Sequence, residues 1–413
     1  MGRREYDLPG QQEGSIVKHT GHLFLAGIVI FHSTAIHAAP PTTQPEIRRG
    51  VPMSGGPGQR SRYFLEHLAA AAEPTGKADP LRLPQYLQVI KHELVADSRL
   101  IAFTPSAQMH GDMVLLGGYA ESAELKTTTQ RVFQLIGFLK IDNQMQVLPD
   151  AALGGQAQAL VTAPKTFLYD QPAAPHESLS QAIIGDPIFL LRKEGDFYLC
   201  HAGDGYVGYI AASALRPIDA ETFAHYLQGP RATITKDFHS GALYLPIGAH
   251  LRVAAEESLE LPDGAKLQVP KENVASSSPD ADERIGKIIT AAKQMLGTPY
   301  VWGGRTTQGV DCSGLTGAAF QAAGVVLPRD ADQQALCGTL VATSSCRNAL
   351  AAGDLLFFIS NRGQIHHVAL YLGSDQFLEA TTPVAKISSL NPKDANYSEK
   401  RDRSFAYAKR VLQ

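Results

Sequence analysis

Apolar residues in the N-terminal part of the chain recur at the spacing of amphipathic helices, with short apolar runs between them. The spacing predicts helices over 62–72 and 83–96 and a third over 122–137, which ends at a glycine. The runs MVLLGGYA and QMQVLPD predict strands, and DSRLIAF is a candidate for an earlier one. We therefore expect a small α+β domain over residues 61–150.

The pattern changes to short strands after residue 158. Runs rich in Val, Ile, Phe and Tyr are separated by Gly-Asp turns over 158–219, and alternation continues over 231–274 with a hairpin signal at Asp263-Gly264. Such strands predict two small β-barrels. One larger β domain is the alternative.

Helical spacing returns near the C-terminal third. The polar stretch SSSPDAD, residues 276–282, is typical of a linker, and the following run over 283–297 has apolar residues at helical intervals and ends at Gly297. A last domain is therefore expected over 280–413. A strand is predicted over Val368 to Leu372.

Length and net charge limit the classes of protein to which the chain can belong. With 413 residues the chain is long enough for several domains. A net charge of −3 argues against a nucleic-acid partner, which usually requires a basic excess. Residues 39–60 are rich in Pro and Gly and are predicted to be a linker.

The first 38 residues have the pattern of an export signal. Lys18 and His19 precede the apolar run 23–31, and small residues lead to a cleavage point after Ala38. We expect a signal peptide over 1–38 and a periplasmic, cell-envelope or extracellular location. A buried helix and an uncleaved anchor are the alternatives.

The chain has four cysteines. In an oxidising compartment Cys337 and Cys346 are close enough in sequence for a disulfide, although two buried thiols fit the spacing equally well. The sequence has no C-x-x-C pair and no H-E-x-x-H motif, so we expect no metal, and no cofactor of another kind is indicated.

Cys312 lies in DCSG, at the predicted start of a helix that continues to Ala323. Unpaired N–H groups and a partial positive charge at a helix N-terminus favour a thiolate, and the Cys312 amide is placed to bind an oxyanion. These features predict a nucleophile. The alternative is a structural cysteine buried in the helix.

A base is available in the predicted strand. His366 and His367 are adjacent, so they point to opposite faces and only one can face Cys312. Glu379, in the next strand, can lie across a hairpin and orient the imidazole. An ordinary solvent-facing carboxylate is the alternative for Glu379.

Five motifs in order resemble the NlpC/P60 cysteine peptidases of bacterial cell walls. They are GTPYVWGG (297–304), DCSG (311–314), LPRDADQQ (327–334), GDLLFF (353–358) and HVALYLG (367–373). The resemblance covers about 280–413 and implies a papain-like α+β domain with Cys312 as nucleophile and His367 as base. The third catalytic position, commonly a histidine in the family, is Glu379 here.

The preceding regions carry weaker resemblances. Residues 158–219 and 231–274 are similar to bacterial SH3 (SH3b) domains, and 61–150 is similar in pattern to BON domains. The combination resembles γ-D-glutamyl-L-diamino acid endopeptidases of the YkfC type. In that group a carboxylate matching Asp330 holds the free α-ammonium of the substrate. The alternatives for Asp330 are an ion pair with Arg329 and a helix cap near Ala331.

The same resemblance assigns further substrate-binding residues. Tyr300 matches a tyrosine whose hydroxyl lies near the nucleophile, and its amide is a second candidate for the oxyanion. Trp302, the single tryptophan, lies in the same motif as Tyr300, and Ser313 follows the nucleophile in DCSG. Tyr206 matches a tyrosine lent by the first SH3b-like domain. Core packing is the alternative for Trp302 and Tyr206.

Together these features predict an exported cysteine endopeptidase that hydrolyses the γ-D-Glu–diamino acid bond of peptidoglycan stem peptides, with a free N-terminal L-Ala. Two alternatives remain at this stage: a catalytically inactive wall-binding protein, and an amidase or endopeptidase acting on intact peptidoglycan. The sequence leaves the oligomeric state open, and a monomer is the expectation.

Overall fold

The computed structural model describes residues 57–254, 258–275 and 280–412. The predicted signal peptide over 1–38 lies outside the described residues, as does most of the predicted linker over 39–60. The last four residues of that linker are helical, because the first helix begins at Pro57. Across the described ranges, no helix combines the length and the apolar character needed to cross a membrane.

The first region packs three helices against a small sheet. Ser122 begins the third helix by accepting from the Leu125 amide at 3.2 Å, and Gly137 ends it in the left-handed conformation, φ 119°. The predicted strand QMQVLPD shortens to two residues. The elements are α1 (Pro57–Ala72), α2 (Leu83–Leu94), β1 (Phe103–His110), β2 (Met113–Ala120), α3 (Ala123–Ile136), β3 (Ile141–Asn143) and β4 (Gln146–Val147).

The second region is a seven-stranded sheet. Its order is β11-β5-β8-β9-β10-β6-β7, so the described pairing has two ends, and the closed barrel predicted here is not found among these strands. The strands are β5 (Gln158–Val161), β6 (Lys165–Tyr169), β7 (Ser178–Ile183), β8 (Pro187–Glu194), β9 (Phe197–His201), β10 (Val207–Ala211) and β11 (Leu215–Ile218).

The third region follows α4 (Ala220–Leu227) and has a five-stranded sheet of order β17-β16-β15-β12-β18 beside a two-stranded one, β13-β14. The described pairing is again open. The hairpin signal at Asp263-Gly264 is confirmed, since it joins β16 to β17. The strands are β12 (Arg231–Ile234), β13 (Phe238–Ser240), β14 (Leu243–Leu245), β15 (His250–Val253), β16 (Ser258–Glu260), β17 (Lys266–Gln268) and β18 (Val274–Ala275).

The last region places helices against a six-stranded antiparallel sheet of order β21-β26-β22-β23-β24-β25. Its helices are α5 (Ala281–Lys293), α6 (Cys312–Ala322), α7 (Ala331–Gln334) and α8 (Glu399–Ser404). Its strands are β19 (Arg305–Thr306), β20 (Gly309–Val310), β21 (Thr339–Thr343), β22 (Leu355–Ile359), β23 (Ile365–Gly373), β24 (Gln376–Ala380), β25 (Ala385–Ser389) and β26 (Phe405–Arg410). The core between α5, α6 and β23 is almost entirely excluded from water.

The first two regions are joined by an apolar contact and a polar one. Ala102 and Leu148 of the first region pack with Leu199 and other residues of the second in one buried cluster. Beside it, the His201 imidazole contacts the Glu121 carboxylate at 2.8 Å. The first region is therefore held against the β region by burial of apolar surface as well as by hydrogen bonds.

Candidate active site

Cys312 is the first residue of α6, and the predicted helix start is confirmed. Asp311 caps the helix, because its carboxylate accepts from the Gly314 amide at 2.7 Å. Gly314 has no room for a side chain, since an added Cβ would collide with the Gly304 carbonyl oxygen. The packing of this turn against residue 304 fixes the position of the cysteine.

The structure overturns one expectation about this thiol. Burial and the neighbouring Asp311 carboxylate raise the pKa of Cys312 to about 11, although N–H groups of Val368 and Ser313 act in the opposite direction. Desolvation outweighs the helix N-terminus, so the resting residue is a thiol and not the predicted thiolate. The influence of Val368 places the sulfur beside the start of the histidine strand.

His367 and Glu379 are brought together, on neighbouring strands β23 and β24. His367 is buried whereas His366 is exposed, so the expectation that they face opposite sides is confirmed. The His367 Nε2 contacts Glu379 Oε2 at 2.9 Å. When Nε2 carries the proton of this bond, Nδ1 is the unprotonated nitrogen and is the one able to accept a proton.

Glu379 has two further partners that sequence reasoning missed. Its Oε1 accepts from Ser388 Oγ at 2.8 Å, and its Oε2 pairs with Arg401 Nε at 2.6 Å. Burial alone would raise the pKa of Glu379, but the His367 bond and the Arg401 charge hold it at about 2. Glu379 is therefore an ionised, buried carboxylate, which excludes the solvent-facing alternative.

Burial sets the charge of the histidine as well. Desolvation and, to a smaller extent, the Arg401 charge lower the pKa of His367 to about 4 against the opposing effect of Glu379. The imidazole is neutral at pH 7. The Cys312 thiol and the His367 imidazole are therefore both neutral in the resting protein.

The two aromatic residues of the GTPYVWGG motif have different surroundings. Burial and the nearby Cys312 raise the pKa of the Tyr300 hydroxyl, so this side chain lies close to the cysteine. The Tyr300 amide donates to the Pro383 carbonyl at 2.9 Å, and its predicted role as an oxyanion donor is wrong. Trp302 is 63% exposed, which rules out core packing and leaves the indole at the surface.

Asp330 and Tyr206 meet although they are far apart in sequence. The Tyr206 hydroxyl donates to Asp330 Oδ2 at 3.2 Å, while its ring is buried in the core of the second region. Asp330 also begins α7, as one alternative held. The other alternative, an ion pair with Arg329, is wrong: Asp330 Oδ2 pairs with Arg99 Nη1 at 2.7 Å.

Arg329 instead connects the cysteine turn to the β region. Its guanidinium pairs with Asp311 at 2.5 Å and donates to Ser313 Oγ at 2.8 Å. It also donates to Ser180 Oγ of β7 at 3.1 Å. Ser313, predicted to bind substrate, is thus already engaged by Arg329.

The remaining cysteine expectation concerns Cys337 and Cys346. Both are free thiols, Cys337 half-buried and Cys346 exposed, so neither the disulfide nor a pair of buried thiols describes them. Within the described ranges, no three His, Cys, Asp or Glu side chains come together as a metal site requires.

The sequence model of the NlpC/P60 family matches residues 297–405, the segment that carries Cys312, His367 and Glu379. These residues form an NlpC/P60 family domain. The chain is 27% identical over 265 residues to a γ-D-glutamyl-L-lysine dipeptidyl-peptidase of Bacillus cereus, covering 56% of this chain and 75% of that protein.

Two further relatives match mainly through the NlpC/P60 domain. A γ-D-glutamyl-L-lysine dipeptidyl-peptidase of Bacillus subtilis is 39% identical over 114 residues, 27% of this chain and 37% of that protein. The peptidoglycan endopeptidase RipB of Mycobacterium tuberculosis is 36% identical over 129 residues, 28% of this chain and 51% of that one. The match therefore spans about a third to a half of these two relatives.

A solved structure agrees with the fold. An NlpC/P60 family protein from Bacillus cereus superposes with a TM-score of 0.53 at 22% identity, covering 62% of this chain and all of that one. The covered share exceeds the NlpC/P60 domain, so the likeness of fold extends into neighbouring regions.

Proposed function

We propose that this protein is a cysteine peptidase that hydrolyses the γ-D-Glu–diamino acid bond of peptidoglycan stem peptides bearing a free N-terminal L-Ala. The observation that carries the proposal is the buried 2.9 Å contact between His367 Nε2 and Glu379, on strands packed against the helix that begins at Cys312. The relatives named as γ-D-glutamyl-L-lysine dipeptidyl-peptidases support the bond that is cleaved.

In the first step the Cys312 sulfur attacks the γ-carbonyl carbon while its proton passes to His367 Nδ1. The Cys312 amide, in the first turn of α6, donates to the oxyanion of the tetrahedral intermediate. His367 then gives the proton to the leaving amine as the C–N bond breaks, and a thioester remains. Water, deprotonated by His367, attacks the thioester and releases the acid and the thiol.

Glu379 serves this sequence through the histidine. The Glu379 carboxylate accepts a hydrogen bond from Nε2–H, which fixes the tautomer in which Nδ1 is unprotonated. Its negative charge stabilises the imidazolium formed after proton transfer. Arg401 binds the same carboxylate oxygen and offsets part of that charge. A carboxylate can therefore take the role of the histidine that is common at this position.

The residues around the thiol make up the proposed substrate site. Tyr300 and Trp302 of the GTPYVWGG motif line the approach to Cys312, and Ser313 supports the site through the hydrogen bond that it accepts from Arg329. At the other end of the bound peptide, Asp330 and the Tyr206 hydroxyl receive the α-ammonium of L-Ala. A carboxylate at this end selects a free amine, because an acylated amine would leave the carboxylate unpaired.

We assign the other regions to separate domains: 61–150, two SH3b-like domains over 158–219 and 231–274, and the peptidase domain over 280–413. The first SH3b-like domain forms a wall of the site through Tyr206. We also propose that the protein is exported, acts as a monomer on peptidoglycan peptides and uses no metal or organic cofactor. Relatives named for peptidoglycan hydrolysis support an envelope location.

The test measures turnover of L-Ala-γ-D-Glu-diaminopimelate and of its N-acetylated form by the full chain. The wild type is expected to cleave only the free-amine peptide, and Cys312→Ala to abolish turnover. Cys346→Ala, which removes an exposed thiol, is the matched control and should retain full activity. Cleavage that persists in Cys312→Ala would overturn the mechanism.

Two results would favour other functions. Cleavage of both peptides would point to an enzyme of intact peptidoglycan, as the endopeptidase relative suggests. Binding to peptidoglycan without turnover of either peptide would identify a wall-binding protein.

A further inference from the structure

Arg99 brings the first region into the end of the proposed substrate pocket. It lies in the loop between α2 and β1, more than 200 residues before Asp330 in sequence, and outside the segment that matches the NlpC/P60 family. We propose that Arg99 is a specificity-determining positioning residue, which holds Asp330 in the orientation that accepts the substrate ammonium. This inference rests on the proposed function.

The guanidinium is held rigidly by three carboxylates. Arg99 Nη1 donates to Asp330 Oδ2 at 2.7 Å, and Nη2 donates to Asp97 and Asp332 at 2.7 and 2.9 Å. Asp97 in turn accepts from Gln333 Nε2 at 3.0 Å. A guanidinium fixed by several ionised acceptors is pre-organised, so it fixes the carboxylates in return.

The backbone of Arg99 is anchored next to Tyr206. The Val207 amide, immediately after that tyrosine, donates to the Arg99 carbonyl at 2.7 Å. Arg99 Nη1 and the Tyr206 hydroxyl therefore reach the same Asp330 oxygen from two regions of the chain. Two donors on one oxygen fix the rotamer of the carboxylate.

The cluster can still bind a cation. Three carboxylates surround one guanidinium, so two negative charges remain after one is neutralised by Arg99. The Asp330 side chain keeps 24% of its surface exposed, which leaves it open to a ligand. An ammonium is attracted by the remaining charge, whereas an acylated nitrogen gains nothing there.

The first region, which carries Arg99, forms a stable interface with the second region. The first region is fixed to the second by the buried cluster around Ala102 and by the 2.8 Å contact between His201 and Glu121. The Val207 amide bonds the Arg99 carbonyl across the same interface, so Arg99 keeps its place beside Tyr206 while the two regions stay packed. We therefore assign Arg99 a fixed place beside Tyr206.

The experiment measures binding of the free-amine peptide L-Ala-γ-D-Glu-diaminopimelate by calorimetry to the full chain carrying Cys312→Ala. In this background Arg99→Met is expected to raise the Kd about tenfold, the usual cost of a lost charge-assisted hydrogen bond. Arg99→Lys should restore part of the affinity, since it returns the charge without the planar donors. Arg62→Met, at an exposed arginine of the same region, is the control.

A double-mutant cycle with Asp330→Asn separates positioning from a general loss of structure. If Arg99 acts through Asp330, Arg99→Met has no further effect once Asp330→Asn is present. Equal losses in both backgrounds, an unchanged Kd or no binding by the parent would overturn the inference. Tighter binding by Arg99→Met would mean that Arg99 competes with the ammonium, which also overturns it.

The proposed function is judged separately, by turnover with the cysteine intact. Binding that depends on Arg99 without any turnover would retain the inference and reject the catalytic proposal. Turnover without dependence on Arg99 would do the reverse.

Discussion

Glu379 and Asp330 are carboxylates of the same proposed site, and each is bound by one arginine, but the two pairs are built differently. The side chains of Glu379 and Arg401 are 2% and 7% exposed, and both belong to the NlpC/P60 domain. Asp330 and Arg99 are 24% and 31% exposed and lie 231 residues apart in sequence. One pair is internal to a domain, and the other joins regions.

The difference follows from what each carboxylate must do. A group that orients a histidine must be isolated from water and fully hydrogen-bonded, because competing water would weaken its hold on the ring. A group that receives a ligand must keep part of its surface free. Isolation from water is achieved within the core of one domain. Partial exposure is achieved at a boundary between regions.

The largest difference is expected in stability. Arg401→Met removes the cation from a buried pair and should lower the free energy of unfolding by about 3 kcal/mol, because Glu379 is left charged and buried. Arg99→Met breaks a partly exposed pair and should cost about 1 kcal/mol or less. Urea denaturation of the two variants, followed by circular dichroism, measures both.

Glu399 and Arg403 provide the reference for an exposed pair, so Arg403→Met should behave as the wild type. Equal losses for Arg401→Met and Arg99→Met would remove the distinction between an internal and a joining pair.

A second difference is expected in catalysis. Glu379→Gln keeps the size of the side chain but removes the charge that stabilises the imidazolium, so kcat should fall about 100-fold. Ser388→Ala removes a single hydrogen bond from the same carboxylate and should lower kcat by about tenfold or less. Steady-state rates with the free-amine peptide test this, and an unchanged kcat in Glu379→Gln would show that the histidine needs no charged partner.

The smallest expected effect is a shift along the pH axis. His367 must be neutral to accept a proton, and burial lowers its pKa to about 4, so kcat should hold at neutral pH and fall as the pH drops through about 4. Arg401→Met removes a charge that lowers this pKa, and the fall should move to higher pH. Asp330→Asn should leave its position unchanged, because that residue contributes to binding. A fall in wild-type kcat near pH 6.5, or movement in Asp330→Asn, would contradict this division.

The NlpC/P60 domain is the part of the molecule that its sequence predicts best. The helix at Cys312 and the strand at His367 follow from local periodicity, and the hairpin between β23 and β24 brings Glu379 to the histidine. Short antiparallel connections fix their own register, so a spacing of twelve residues translates into a contact. Alternation along one strand predicts that His366 and His367 face opposite sides, and the choice of His367 comes from the resemblance to the NlpC/P60 motif.

The predictions that failed depend on packing between distant parts of the chain. The prediction of a thiolate at Cys312 did not account for desolvation, which arises only when α6 is covered by the sheet. Arg99 carries no local pattern that points to Asp330, and Arg401 lies in a polar stretch typical of a surface helix. The open strand order of residues 158–218 likewise depends on pairing that alternation does not determine.

The buried Arg329 has a consequence for how the site moves. It lies between Asp311 at the cysteine turn and Ser180 of the β region, which also donates to Asp204 at 2.9 Å. Hinge motion between the two regions would break the hydrogen bond from Arg329 to Ser180, whereas the ion pair between Arg329 and Asp311 lies within the NlpC/P60 domain and would stay intact. Wide opening would therefore cost about 2 kcal/mol at Arg329, the usual cost of a lost hydrogen bond to a charged group, while the cysteine turn keeps its ion pair.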